Sequence, residues 1–195
     1  HQWWAALGMY GLCRQLGRSV RAARVAGVGF ALSGLLVSHF TYAGMVQVMS
    51  WVPFAFWVTL KLVESPRWQW GLAWALSVAA MGTAGHPQAA AIGFLGCGAV
   101  FLSGNPPRRA WLVAVAGGLL GTLAALPQWL ATWELVGESA RSGGVDSGFA
   151  GLGSLPPQEL INAALPRFWG FERPAASQDR FCFSGLQSDS RVNCV

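Results

Sequence analysis

The chain has 195 residues, of which 53% are hydrophobic and 11% charged, with a formal net charge of +5. Globular domains carry about 25% charged residues, and lysines and glutamates are rarely fully buried, so too little polar surface is present to cover a soluble fold of this size. The surplus of positive charge does not point to nucleic acid: eight basic residues and one acid (Glu64) precede residue 134, five basic residues and seven acids follow, and no basic stripe with interleaved aromatics occurs.

Charge is absent over 25–60, 68–107 and 110–133, runs of 36, 40 and 24 residues. One helical crossing of a bilayer takes about 20 apolar residues, so the first two runs each hold two crossings with a turn between, and the third holds one. The reading is an all-α, polytopic membrane bundle over 1–134, followed by an external segment, 135–195.

In chain order, a helix over about 2–13 reads as the tail of an earlier crossing, because His1-Gln2-Trp3-Trp4 lacks a basic n-region; the chain is expected to be a fragment. Arg14, Arg18, Arg21 and Arg24 recur at intervals of three and four, which predicts a short amphipathic helix at an anionic membrane surface. Crossings follow over about 25–38, 45–63, 68–84, 88–103 and 111–133, with Pro53 expected to kink the second. Beyond them, 141–154 is rich in Gly and Ser. Ser154-Leu155-Pro156-Pro157-Gln158-Glu159 has the cap, early proline and acid of a helix start, predicting a short helix near 156–164.

Sidedness follows from the turns. Arg14, Arg18, Arg21, Arg24, Lys61, Arg67, Arg108 and Arg109 fall in one alternate set, whereas the other set holds His39 and His86 and no Lys or Arg before Arg141. The positive-inside rule puts the first set in the cytoplasm and 135–195 on the other side. Trp51, Trp57, Trp68, Trp70, Trp111, Trp129 and Trp133 are expected near span ends as an aromatic belt. Cys13 and Cys97 read as small hydrophobes; Cys182 and Cys194 could pair if their compartment is oxidising.

Three polar clusters lie on the non-basic side. The first is His39 with Thr41 and Tyr42, where the plain reading is a solvated turn. The second is Gly85-His86-Pro87-Gln88, whose plain reading is a hydrogen-bonded helix turn, although polar groups at membrane depth are costly unless satisfied. The third is Gln128, Glu134, Glu138, Ser139, Arg141 and Ser142. Glu134 and Glu138 at i,i+4 repel, and Arg141 or a bound divalent cation would relieve them. No nucleotide-binding P-loop, HExxH or i,i+4 histidine pair is present, and no ionisable group sits at mid-depth. Gly117 and Gly121 form a GxxxG, the mark of close helix packing.

The order of Arg14-Gln15-Leu16-Gly17-Arg18, Phe30-Ala31-Leu32-Ser33-Gly34, Gly85-His86-Pro87-Gln88, Leu126-Pro127-Gln128, Glu134, Ser139-Ala140-Arg141-Ser142-Gly143, Gly153-Ser154-Leu155-Pro156-Pro157 and Leu165-Pro166 with Phe168-Trp169-Gly170 resembles the YfhO family of bacterial membrane proteins. The resemblance spans about 5–170 and lapses after about 172. It implies a GT-C-like glycosyltransferase of the bacterial cytoplasmic membrane, taking a sugar from a polyprenyl-phosphate donor to a cell-surface polymer or lipid at the outer face. On that reading His39, His86, Gln88, Gln128, Glu134, Arg141 and Ser142 bind substrate, with Arg141 suited to phosphate. Glu134 is the one candidate for a catalytic carboxylate, since the acid of GT-C enzymes ordinarily lies in the first external loop, ahead of this chain. No metal site is implied. A flippase or transporter of a lipid-linked substrate, which favours inverted repeats, and a non-catalytic assembly protein are the rival readings.

Overall fold

The computed structural model describes residues 1–138 together with Leu165, within a chain that divides into two compact units, His1–Ser142 and Gly143–Val195. Every regular element among the described residues is an α-helix: α1 (Gln2–Gln15), α2 (Val20–Ala31), α3 (Gly34–Ser38), α4 (Ala43–Glu64), α5 (Trp68–Gly82), α6 (Pro87–Ser103) and α7 (Arg108–Glu138). Three segments are long and apolar enough to cross a membrane: α2 with α3 (Val20–Ser38), α4 and α7. At 15 and 17 residues, α5 and α6 are about 23 and 26 Å long, short of the roughly 30 Å hydrocarbon core.

The arginine-rich stretch is two helices, and this corrects the single amphipathic helix expected from its spacing. Gly17 adopts φ +74, its N–H bonds the Arg14 carbonyl, and the Arg18 N–H reaches back to that of Cys13. This paired closure stops a helix and needs a left-handed residue, which glycine adopts without strain. Ser19 then caps α2, its Oγ accepting from the Ala22 N–H at 3.2 Å. Arg14 therefore ends α1, Arg18 lies in the turn, and Arg21 and Arg24 open α2. A second break separates α2 from α3 at Ser33-Gly34, a pair prone to kinks.

Packing runs through small residues. Gly8 and Gly11 of α1 receive Phe54 and Trp57 of α4, which form an aromatic ridge with Trp51 spaced three residues apart, while Ala5 is buried with Leu36 and Val46. Trp4 adds its ring at 4.7 Å from Trp51 and 4.9 Å from Phe54. Trp51 and Trp57, expected in an aromatic belt, are thus half-buried packing residues of α4; Trp68, Trp111, Trp129 and Trp133 are exposed. Pro53 is buried inside α4, which continues through it.

On the other side of α4 lie α5 and α6. α6 seats Gly93 against Met81 and Val52, Gly96 against Phe56, and Gly104 against Val63. α7 packs along α5. A Cβ on Gly117 would land on the Gly71 carbonyl oxygen and one on Gly121 on that of Ala75, so the two backbones are in contact, as the GxxxG spacing predicts. At 31 residues α7 is about 46 Å long. Its last buried residue is Ala125, level with Gly82 at the end of α5, and everything from Pro127 to Glu138 is exposed.

Alternate helix directions sort the charges. Gln15 of α1 donates to the Glu64 carboxylate, Lys61 lies 5.8 Å from the Trp70 ring, and Phe101 meets Trp111 edge-on at 5.0 Å. These contacts gather the α1–α2 turn, the end of α4, the start of α5 and the α6–α7 turn at one end. All eight basic residues that precede residue 134 belong to it.

Candidate functional site at the opposite end

Two turns and a helix meet at the other end of the bundle. The turn after α3 leads into the start of α4, where Gly44 is pressed against the Ala84 carbonyl. One turn further on, Gln47 donates from Nε2 to the Ala80 carbonyl at 3.1 Å. The turn between α5 and α6 is thereby held against α4. From the third side, Trp129 donates from Nε1 to the Gly82 carbonyl at 2.8 Å. The Leu126-Pro127-Gln128-Trp129 stretch and the Gly85-His86-Pro87-Gln88 turn, 41 residues apart in sequence, become neighbours through this bond.

The second motif is a helix-starting device. Gly85 takes φ +74; His86 is the N-cap of α6, its Nδ1 accepting from the Ala89 N–H at 3.2 Å; and Pro87 occupies the first turn, where its missing N–H costs nothing. Accepting through Nδ1 leaves Nε2 as the ring's N–H donor. Gln88, next in line, is exposed.

His39 holds the opposite tautomer. Its Nδ1 lies 2.9 Å from the Leu35 carbonyl and 3.0 Å from Ser38 Oγ. A contact to a carbonyl requires Nδ1 to carry the proton, so in the neutral ring Nε2 is the bare acceptor. The ring sits 6.1 Å from that of Tyr42. One histidine at this end therefore presents a donor and the other an acceptor, each fixed by a backbone group.

Gln128 is exposed and bonds within α7, Nε2 to Thr132 Oγ1 at 3.4 Å. Glu134 and Glu138 share the exposed stretch of α7 that continues past α5. Arg141 and Ser142, the short helix near 156–164, and Cys182 with Cys194 lie outside the described residues. Among the described residues, His39, His86, Gln88, Gln128 and Glu134 are brought to one end but not joined to one another; their hydrogen bonds are local.

No family model, no curated protein and no solved structure matches the chain.

Trp129 is the residue that sequence reading passed over. It resembled one more interfacial tryptophan, 41% exposed; the usable signal was Gly82, whose missing side chain leaves room for an indole. Trp129→Phe keeps the ring and loses the N–H. It should lower stability in detergent by about 0.6 kcal/mol, the usual size of an interhelical hydrogen bond in membrane proteins, read by denaturant titration. His86→Ala should remove about 1 kcal/mol of capping, and His86→Asn should restore it, because asparagine is among the best N-caps.

Proposed function

We propose that this chain forms part of a multi-spanning membrane glycosyltransferase of GT-C type, inserted in the bacterial cytoplasmic membrane with its basic end in the cytoplasm. Its polar end works at the outer headgroup level on a polyprenyl-phosphate-linked sugar. The observation that carries the reading is segregation: eight basic residues at one end of the bundle and both fixed histidines, Gln88 and the acid-bearing end of α7 at the other. A lipid-linked donor presents its phosphate at headgroup depth, where a histidine N–H donor and an arginine fork suit its oxygens. His86 supplies the donor through Nε2, and Arg141 follows α7 closely in sequence. His39 Nε2, a bare acceptor, is suited to receive a proton from the acceptor hydroxyl, as is the carboxylate of Glu134.

The test is sugar transfer by the full-length protein in membranes. His86→Asn separates capping from chemistry: it should keep the fold but lower transfer roughly a hundredfold, the size of a lost positioned hydrogen-bond donor. Arg141→Ala should do the same. Full transfer by both variants would reject the roles given to His86 and Arg141, whereas no transfer above background by the unaltered protein would reject the transferase reading and favour a flippase or assembly role.

A further inference from the structure

The bundle also carries a groove at its basic end, away from the site above. It is about 450 Å³ in volume, lies between α1 and α4, and is lined by Leu7, Tyr10, Arg14, Trp57 and Lys61, with Gln15 at its rim. The groove exists because Gly11 lets the Trp57 ring lie flat against α1. Arg14 spends one nitrogen on the Arg18 carbonyl at 2.7 Å, which anchors the guanidinium and leaves the rest of its fork available. Lys61 comes from the facing helix and is held beside the Trp70 ring. The nearest acid, Glu64, is engaged by Gln15. Two cations on two helices thus face one cavity whose remaining walls are apolar or aromatic.

The apolar part continues outward along α1. Trp3, Leu7, Tyr10 and Arg14 stand at i, i+4, i+7 and i+11 and so share one helix face, with Trp3 86% and Leu7 59% exposed. From Trp3 to Arg14 is about 16 Å along the axis, half the thickness of a hydrocarbon core. A strip of one leaflet's depth that ends at a pair of cations matches an amphiphile with one anionic head.

We propose that this groove binds an anionic glycerophospholipid from the leaflet at the basic end. Arg14 and Lys61 hold the phosphodiester, and Tyr10, Leu7 and Trp3 lie along an acyl chain. Basic pockets between membrane helices on the cytoplasmic side take such headgroups. The site rests on the chain being embedded in a bilayer and is independent of whether it transfers sugar.

The full-length protein is reconstituted in nanodiscs containing phosphatidylcholine and phosphatidylglycerol at equal mole fractions, and lipids retained on release are counted by native mass spectrometry. The wild type should retain phosphatidylglycerol in preference to phosphatidylcholine. The R14Q/K61Q variant should lose that preference roughly thirtyfold, from the attraction of two basic groups. R108Q/R109Q, which removes equal charge at the same end, should keep it. Leu7→Asn, an exposed change that leaves both cations, should also weaken retention. Equal retention by the two double variants, no preference in the wild type, or displacement of the lipid by inorganic phosphate would overturn the proposal, the last by assigning the groove to a free anion. Recovery of the protein in nanodiscs of phosphatidylcholine alone checks the membrane premise separately.

Discussion

Gly121→Leu is expected to lower the stability of the bundle by about 3 kcal/mol or more, at the top of the range for overpacking or beyond it. Most overpacked sites relax because a side chain turns aside. Here a Cβ would meet the Ala75 carbonyl oxygen and the Val78 Cβ, and neither has a rotamer to change. α7 would have to move away from α5 along its whole contact, losing the Gly117–Gly71 approach and the Trp129–Gly82 bond as well. Gly29→Leu is the control. That glycine is exposed on α2, with nothing within 4 Å of where a Cβ would stand, so the change should be neutral or slightly favourable through helix propensity. Denaturant titration in detergent micelles, followed by tryptophan fluorescence, distinguishes the two.

The second large effect concerns direction. Changing Arg14, Arg18, Arg21 and Arg24 together to Gln removes half of the basic residues at one end. At about 1 kcal/mol per basic group near an anionic surface, roughly 4 kcal/mol of orientational bias disappears. A measurable fraction of molecules should then insert inverted, seen with a side-specific reporter fused after Asn105. Changing Lys61, Arg67, Arg108 and Arg109 to Gln as well should bring the two orientations close to parity. A population that stays uniform after all eight changes would show that charge does not set the direction.

Helix content, the order of the segments and the two-ended charge pattern were legible in the sequence because each depends on composition and simple periodicity. The close approach of α7 was legible because GxxxG can do little else in an apolar helix. The split at Gly17 was not: arginine spacing fits one helix face equally well, and a single residue at positive φ undoes it. Nor was the attachment of α6 to α4 in preference to α7, which turns on Gly93 meeting Val52 and Gly96 meeting Phe56, a match of shapes that apolarity alone does not encode. Tryptophan gave a mixed signal for the same reason: Trp51 and Trp57 pack inside the helix layer, while Trp68 and Trp133 stay exposed. At the candidate site, the turn motif around His86 could be read as polar and as a helix start. Its tautomer, and the opposite one at His39, emerge only from backbone carbonyl and N–H groups supplied by the fold.

The proposed topology, in which the two ends of this bundle face opposite sides of a membrane with the histidine-bearing end outside, is open to a direct measurement. Single-cysteine variants of an otherwise cysteine-free full-length protein, Gln88→Cys and Arg18→Cys, are to be expressed in intact cells and treated with a membrane-impermeant maleimide. Both positions are exposed at turns or helix starts. The Gln88→Cys variant should be labelled in intact cells, and the Arg18→Cys variant only after permeabilisation. The reverse pattern, or labelling of both from outside, would contradict it.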